Sequence, residues 1–401
     1  MSLKSAFAAI YNKTFLNSVF NAGRSLINPL FVALFSYLFI SQNLHIDLLK
    51  INRVTALVNL ALIFSGWGLR DYLFKNSVKH HADFNRTWHL AFYTKFILLI
   101  PILLISVFSL DDRTVIFIML VSVFKTFNVL YEPLIVLHKR SVLFFFFDFL
   151  VALVSVVLIM QGVINTFHLF FNLLLVSEFL KMLLNCVIFR KPAFIINDFG
   201  ALLFFLKDTK YYFFLVLVSF FQTKADLYVL GFLLNPGKLN EYQLLSSLIS
   251  LVQIVIVGYI VSYSKLFYRN INSSELVFKR IVLGAGSLMA LIASFLIYYV
   301  LNFIYGFYFS PVNIVIVMIN TIAFANVLHE MFHYTRMDWL NTVLLFVIVA
   351  GAVNLLLSLL LVGGLGVQGA LIANTGSLLA LWGLMNRRRI FKQRKKILSG
   401  L

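Results

Sequence analysis

Apolar stretches of about 20 residues recur along the whole of this chain, each long enough to cross the roughly 30 Å hydrocarbon core of a bilayer as a helix. About twelve can be placed, at approximately 15–40, 47–66, 88–110, 114–137, 142–160, 167–189, 211–234, 242–264, 281–304, 308–332, 341–362 and 367–386. Soluble domains have an apolar share nearer ~45–50%, whereas here 61% of residues are hydrophobic and only 12% are charged. The expectation is an all-α integral membrane protein with about twelve transmembrane helices.

Lys and Arg orient such a chain, because short cytoplasmic connections hold them in excess. One set of alternate connections, with both termini, carries 24 of them, and the other set carries only Lys50, Arg53, Arg113 and Lys238. Both termini are therefore expected in the cytoplasm. The formal net charge of +18 is then mostly topological charge beside a membrane face that attracts cations, and no nucleic-acid partner is expected. The N-terminal residues lack the short apolar core and small-residue cleavage pattern of a signal peptide, so the first helix is expected to be retained. Trp88, Trp339, Tyr211, Tyr212, Tyr242 and Tyr268 fall near span ends and read as interfacial anchors.

Several chemistries are excluded at this level. The single cysteine, Cys186, allows no intrachain disulfide and no cysteine-based metal site. His80 and His81 have no carboxylate or cysteine at ligand spacing. There is no Gly-rich phosphate loop followed by Lys-Ser/Thr, which argues against an ATP-driven pump. No cofactor and no enzymatic activity are expected.

The mixed polar and basic connection at 190–210 divides the spans into six and six, which gives two halves of the same orientation. The domains read as 1–195, 196–386 and a basic cytoplasmic tail, 387–401. Weak internal symmetry agrees, because the polar interruption at 21–29 in the first span has a counterpart at 222–226 in the seventh. The tail reads as an orientation-setting segment, with anionic membrane lipid as the partner it can touch.

Charges inside the spans narrow the function, because a central charge costs about 2.5–3.5 kcal/mol on insertion scales while one near a helix end can reach the headgroups. Lys95, Asp148 and Glu330 lie near cytoplasmic ends and read as snorkelling residues. Arg24, Lys125, Lys224 and Asp226 lie deep, so they face water or pair. Glu178 and Lys181 share a helix face at i,i+3 and either neutralise one another or act in a site. Pro29, one turn beyond Arg24, loosens the backbone there, and Glu132-Pro133 marks a second such place. Three deep bases against one acid would create positive potential suited to a phosphate, with Arg24 as a bidentate fork and Lys125 and Lys224 as point charges. The candidate substrate-binding residues are Arg24, Asn28, Lys125, Lys181 and Lys224. Asp226 and Glu178 are the candidates for ion coupling, a helix–helix salt bridge being the alternative for Asp226.

The seventh and eighth spans run from Asp226 to Gly231 (DLYVLG), through a short turn 235–242 (NPGKLNEY), to 243–248 (QLLSSL). An acidic residue, an apolar stretch ending in Leu-Gly and a tyrosine opening the next helix resemble the polysaccharide flippases of the multidrug/oligosaccharidyl-lipid/polysaccharide exporter superfamily. The run 355–370 (LLLSLLLVGGLGVQGA) is similar to that family's last helix pair, with Gly363 nearest the place of a proline that members often carry. The Wzx-type O-antigen branch is the expected one. The resemblance implies two six-helix bundles around a central cationic cavity, alternating access, and a bacterial inner-membrane location. The implied cargo is undecaprenyl-diphosphate-linked oligosaccharide, moved from the cytoplasmic to the periplasmic leaflet, with a proton or sodium ion as coupling ion. Membrane lipids and other polysaccharide-assembly membrane proteins are the further partners implied. A cation-coupled multidrug antiporter of the same superfamily is the alternative. A membrane-embedded polymerase or ligase is a weaker rival, because the external connections lack its arginines.

The charge split predicts that reporter fusions at Gln161 and Lys238 will report from the periplasm. A cytoplasmic signal from both would reverse the orientation.

Overall fold

The computed structural model describes residues 14–27, 58, 61–62, 64–66, 68–79, 84–109, 112–162, 167–189, 199–233, 236–263 and 273–398. Helix α1 covers 14–27, and the described residues within 58–66 are also helical. They are followed by α2 (Leu69–Lys79), α3 (Phe84–Ser109), α4 (Asp112–Leu137), α5 (Ser141–Met160), α6 (Phe167–Phe189), α7 (Phe199–Leu233) and α8 (Pro236–Val261). Helix α9 (Ser273–Tyr299) ends in a π turn (Val300–Ile304) and precedes α10 (Pro311–Arg336), α11 (Leu340–Leu365) and α12 (Val367–Leu398). Nine helices among the described residues are long and apolar enough to cross a membrane. The chain is an all-α integral membrane protein, and no strand occurs among the described residues. It divides into two compact units, Met1–Phe213 and Phe214–Leu401.

From residue 84 onward every expected span falls on a helix, and the differences lie in the connections. The stretch 70–87 reads as a loop by polarity, yet most of it is α2 and the start of α3. Its apolar residues Leu69 and Leu73 are fully buried in a cluster with Trp88 and Tyr131, so packing of one face outweighs the polar composition. In the same way α7 begins at Phe199 because Leu202, Phe205 and Thr209, at i, i+3 and i+7, form a buried stripe. The basic tail continues α12 as helix to Leu398.

The outer surface identifies the solvent. Phe146, Phe149, Leu150 and Leu153 on α5, and Leu356, Leu359 and Leu360 on α11, are exposed side by side, a patch size that marks contact with lipid rather than water. Six hydroxyls inside the spans are satisfied locally. Ser18, Ser155, Thr209, Ser294, Thr321 and Thr375 each donate to the carbonyl four residues earlier. Three expected anchors are buried in protein. Trp88 is buried and donates Nε1–H to Leu130 O at 3.2 Å, Tyr212 is buried over Gly68, and Tyr242 is buried within the second unit. Tyr211 is exposed and Trp339 is half-buried. Tyr268 lies outside the described residues, as do Asn28 and Pro29.

Close backbone approach holds the last helix pair. The turn from α11 to α12 places Gly366 at φ 56°, where Gly366 N donates to Val362 O at 2.9 Å. A Cβ on Gly369 would sit 2.5 Å from Leu361 O, a backbone atom that cannot swing aside. Gly369→Ala is expected to destabilise the protein by about 1–3 kcal/mol, the range for overpacking, and to lower its melting temperature in detergent. Gly363→Ala, where a Cβ meets nothing within 4 Å, should leave the melting temperature nearly unchanged.

Candidate functional site

In the first unit, α1 is built inside out. Thr14, Asn17, Ser18, Asn21 and Arg24 are buried at helical spacing, while Phe15, Leu16 and Val19 are exposed. A polar stripe turned away from lipid must find partners in protein. Lys139 Nζ donates to Thr14 Oγ1 at 2.9 Å, and Ser141 N donates to Asn17 Oδ1 at 3.3 Å. Arg24 stands at the inner end of the stripe. Its NH2 donates to Glu132 Oε1 at 3.0 Å, its Nε lies 3.5 Å from Asp148 Oδ2, and its guanidinium carbon lies 6.0 Å from the ring centroid of Phe144.

The chain of charges extends from both carboxylates. Arg70 Nε, on α2, lies 3.0 Å from Glu132 Oε2, and Lys181 Nζ, on α6, donates to Asp148 Oδ1 at 2.6 Å. The cluster thus links α1, α2, α4, α5 and α6 and holds three bases to two acids. Lys95, buried on α3, adds its field at Glu132. Beside it, Asn128 Nδ2 donates to Glu178 Oε2 at 2.8 Å and to Glu178 O at 3.0 Å, and Asn185 Nδ2 donates to Asn128 Oδ1 at 3.0 Å. Glu178 and Lys181 therefore have separate partners and do not neutralise one another.

The second unit treats its deep charge differently. Asp226 on α7 is fully buried, and no basic group lies within ion-pair distance of it among the described residues. Tyr242 OH (α8) and Asn374 Nδ2 (α12, 3.2 Å) donate to Oδ2, and Leu227 N donates to Oδ1 at 3.0 Å. Asn374 Oδ1 accepts from Asn320 Nδ2 (α10) at 3.0 Å, and Asn320 also donates to Thr375 Oγ1 at 3.2 Å. Gln253 Nε2 (α8) closes this branch on Asn320 Oδ1 at 3.4 Å. A second branch runs one turn before Asp226. Gln222 Nε2 donates to Ser377 Oγ at 3.0 Å, and Asn354 Nδ2 (α11) donates to Gln222 O at 2.7 Å. A tyrosine from α8 and an asparagine from α12 thus hold the carboxylate, and Asn320 on α10 supports it through Asn374.

The structure brings Arg24 and Lys181 together through Asp148, and places Asp226 in a network of its own. Lys125 on α4 and Lys224 on α7 are half-buried, and neither has an ion-pair or hydrogen-bond partner among the described residues. Lys224 acts on Asp226 only electrostatically. Sequence reasoning missed Glu132, which read as part of a helix-breaking pair, and Arg70, which read as topological charge. It also set Lys95, Asp148 and Glu330 at the headgroups, whereas all three are buried in protein. Asn320 and Asn374 were missed because Asn28 was the one amide weighed beside the charges, and Tyr242 read as an interfacial anchor and as part of the flippase-like turn. The usable signal was an amide in the middle of an otherwise apolar span, as in Asn320-Thr321 and Asn374-Thr375.

No family model matches this sequence, and no curated protein sequence matches it. Solved structures do match its fold. The chain is similar to the crystal structure of the eukaryotic MATE transporter AtDTX14, with a TM-score of 0.68 at 11% identity over 95% of this chain and 96% of that one. An outward-facing multidrug resistance MATE family transporter of the MOP superfamily aligns with a TM-score of 0.63 at 11% identity, over 93% of this chain and 96% of that one. The Vibrio cholerae MATE transporter VcmN aligns at 0.62 and 12% identity, over 96% and 98%. The fold of this chain is the MATE transporter fold over almost its entire length.

The ionic cluster predicts an asymmetry between its members. Asp148→Ala leaves Arg24 and Lys181 facing each other without their shared anion and should cost about 3–5 kcal/mol, the range for an orphaned buried charge. Arg24→Ala leaves Glu132 with Arg70 and Asp148 with Lys181, so its loss should be clearly smaller. Melting temperatures of the two purified variants measure the difference, and a larger loss for Arg24→Ala would contradict the assigned pairing.

Proposed function

We propose that this chain is an ion-coupled membrane transporter whose cargo is an anionic amphiphile. The cargo is an undecaprenyl-diphosphate-linked oligosaccharide, moved from the cytoplasmic to the periplasmic leaflet of a bacterial inner membrane. The excess of base over acid in the cluster around Arg24, together with two half-buried lysines, carries the reading. Three bases share two carboxylates around Arg24, and Lys125 and Lys224 stand half-buried without a fixed counter-charge. A lysine in a span is stable when water or an anionic ligand solvates it, and an ammonium is a point charge that a diphosphate can satisfy from several directions. An organic cation would meet repulsion at the same places.

Asp226 is the proposed coupling residue. Its three donors are neutral, so the carboxyl can take up a proton or a small cation without breaking a salt bridge. Glu178, held by Asn128, is a second candidate. A specific observation favours a different cargo. The solved structures that share the fold include a multidrug resistance transporter, which supports cation-coupled drug efflux as the second reading.

Reconstituted vesicles separate the two. The wild-type chain is expected to flip a fluorescent polyprenyl-diphosphate sugar lipid and to leave a cationic dye untransported. Lys125→Ala and Lys224→Ala should each slow flipping at least tenfold while the melting temperature stays within a few degrees of wild type. Asp226→Asn should make the residual rate independent of the proton or sodium gradient. Dye efflux without lipid flipping would replace the first reading with the second.

A further inference from the structure

A cavity of about 230 Å³ opens at the end of the second unit where α8 and α10 begin and α11 turns into α12. It is smaller than the roughly 300–1,000 Å³ of drug-sized sites and matches a ligand of one ring. Its floor is apolar, with Leu245, Leu301 and Phe309, and Phe307 and the fully projecting Tyr308 stand at its side. Polar groups line the rest, namely Lys238, Glu241, Asn313 and Gln368. Asn313 is buried, yet its Oδ1 accepts no hydrogen bond among the described residues. A buried amide oxygen without a donor is an unmet demand at the wall of the cavity.

The walls are held in place. Asn302 donates to Phe309 O at 3.1 Å and to Tyr298 O at 3.0 Å, and accepts from Phe309 N at 3.0 Å, so one side chain fixes both edges of the 303–308 loop. The π turn before that loop gives Tyr305 N to Val300 O at 3.1 Å, and Phe307 N reaches Leu301 O at 2.9 Å. Gly306 takes φ +67° and lets the loop double back, so that the Tyr305 and Phe307 rings stack 6.2 Å apart at 16°. The opposite wall is the Gly366 turn. π turns and over-determined irregular backbone recur where a protein must present side chains in fixed positions.

We propose that this cavity is a saccharide subsite for a single pyranose ring. A pyranose carries hydroxyls around its edge and C–H bonds on its faces. The planar amides of Asn313 and Gln368 and the carboxylate of Glu241 match the first, and the rings of Phe307 and Tyr308 match the second. Charge argues against the competing ligands. Lys238 Nζ is held by both oxygens of Glu241, at 3.0 and 2.9 Å, so the rim is neutral and offers no net attraction to a phosphate headgroup or to an organic cation. The subsite rests on the proposed function in one respect, that the sugar it holds belongs to the translocated oligosaccharide after its passage. The binding of a pyranose does not depend on transport.

The test is saturation-transfer NMR on the full-length protein in nanodiscs, with methyl glucoside, methyl galactoside and N-acetylglucosamine as probes and glycerol 3-phosphate as the headgroup comparator. At least one sugar should receive saturation, and glycerol 3-phosphate should not displace it. Asn313→Ala should weaken that sugar at least fivefold. Gln368→Ala, at a half-buried position with little role in packing, should do the same with an unchanged melting temperature. Asp226→Asn should retain the sugar while losing gradient-dependent flipping. Absence of saturation for all three sugars, equal binding by both alanine variants, or displacement by glycerol 3-phosphate would overturn the subsite. A protein that binds the sugar but flips no lipid would keep the subsite and sink the proposed cargo.

Discussion

An ionised side chain cannot be left alone in hydrocarbon, and that constraint organises both units of this protein. Lipid offers no hydrogen bonds, so each polar group in a span needs a partner within the protein or access to water. The polar face of α1 meets the demand collectively. Its buried stripe ends on Arg24, and the guanidinium ties two carboxylates that are themselves claimed by Arg70 and Lys181. Helices whose outer faces are equally greasy have little hydrophobic reason to choose one neighbour over another. The ionic chain supplies that choice, since this arrangement of α1, α2, α4, α5 and α6 pairs all five charges.

Much of the fold is legible from the sequence because the bilayer removes options. A stretch of about 20 apolar residues in lipid has only the helix open to it, so existence and approximate limits of the spans follow from hydropathy from residue 84 onward. What hydropathy cannot express is a helix stabilised by packing of one face outside the spans. Leu69 and Leu73 on α2 are spaced as on an amphipathic helix within a segment whose average composition is that of a loop.

The site was legible in part. Depth along the span singled out Arg24 and Asp226 as groups in need of explanation, and both anchor networks. Depth alone could not name partners that lie far away in sequence, such as Glu132 and Asp148 for Arg24, or Tyr242 and Asn374 for Asp226. It also misjudged Trp88, Tyr212 and Tyr242, because a tyrosine or tryptophan near a span end can either anchor at the headgroups or turn inward to give its hydrogen-bonding tip a buried partner. Sequence position is the same in both cases, and only the direction of the side chain differs.

The two units handle charge in chemically distinct ways, which bears on which can respond to an ion gradient. Around Arg24 each carboxylate lies between two bases, so the loss of either acid would strand positive charge in a buried place. That arrangement suits a fixed scaffold. Around Asp226 the partners are a phenol, an amide and a backbone N–H, none of which loses a counter-charge when the carboxyl is neutralised. The Tyr242 hydroxyl can turn from donor to acceptor while Asn374 goes on donating, so a neutral carboxyl can keep both partners with the same heavy-atom positions. A group that changes charge at low reorganisation cost is what coupling requires, and a group locked by two bases is what a stable helix arrangement requires. With Asp226 as the proposed coupling residue, partner chemistry is what distinguishes the two sites, each with the same residue type, a buried carboxylate, at its centre.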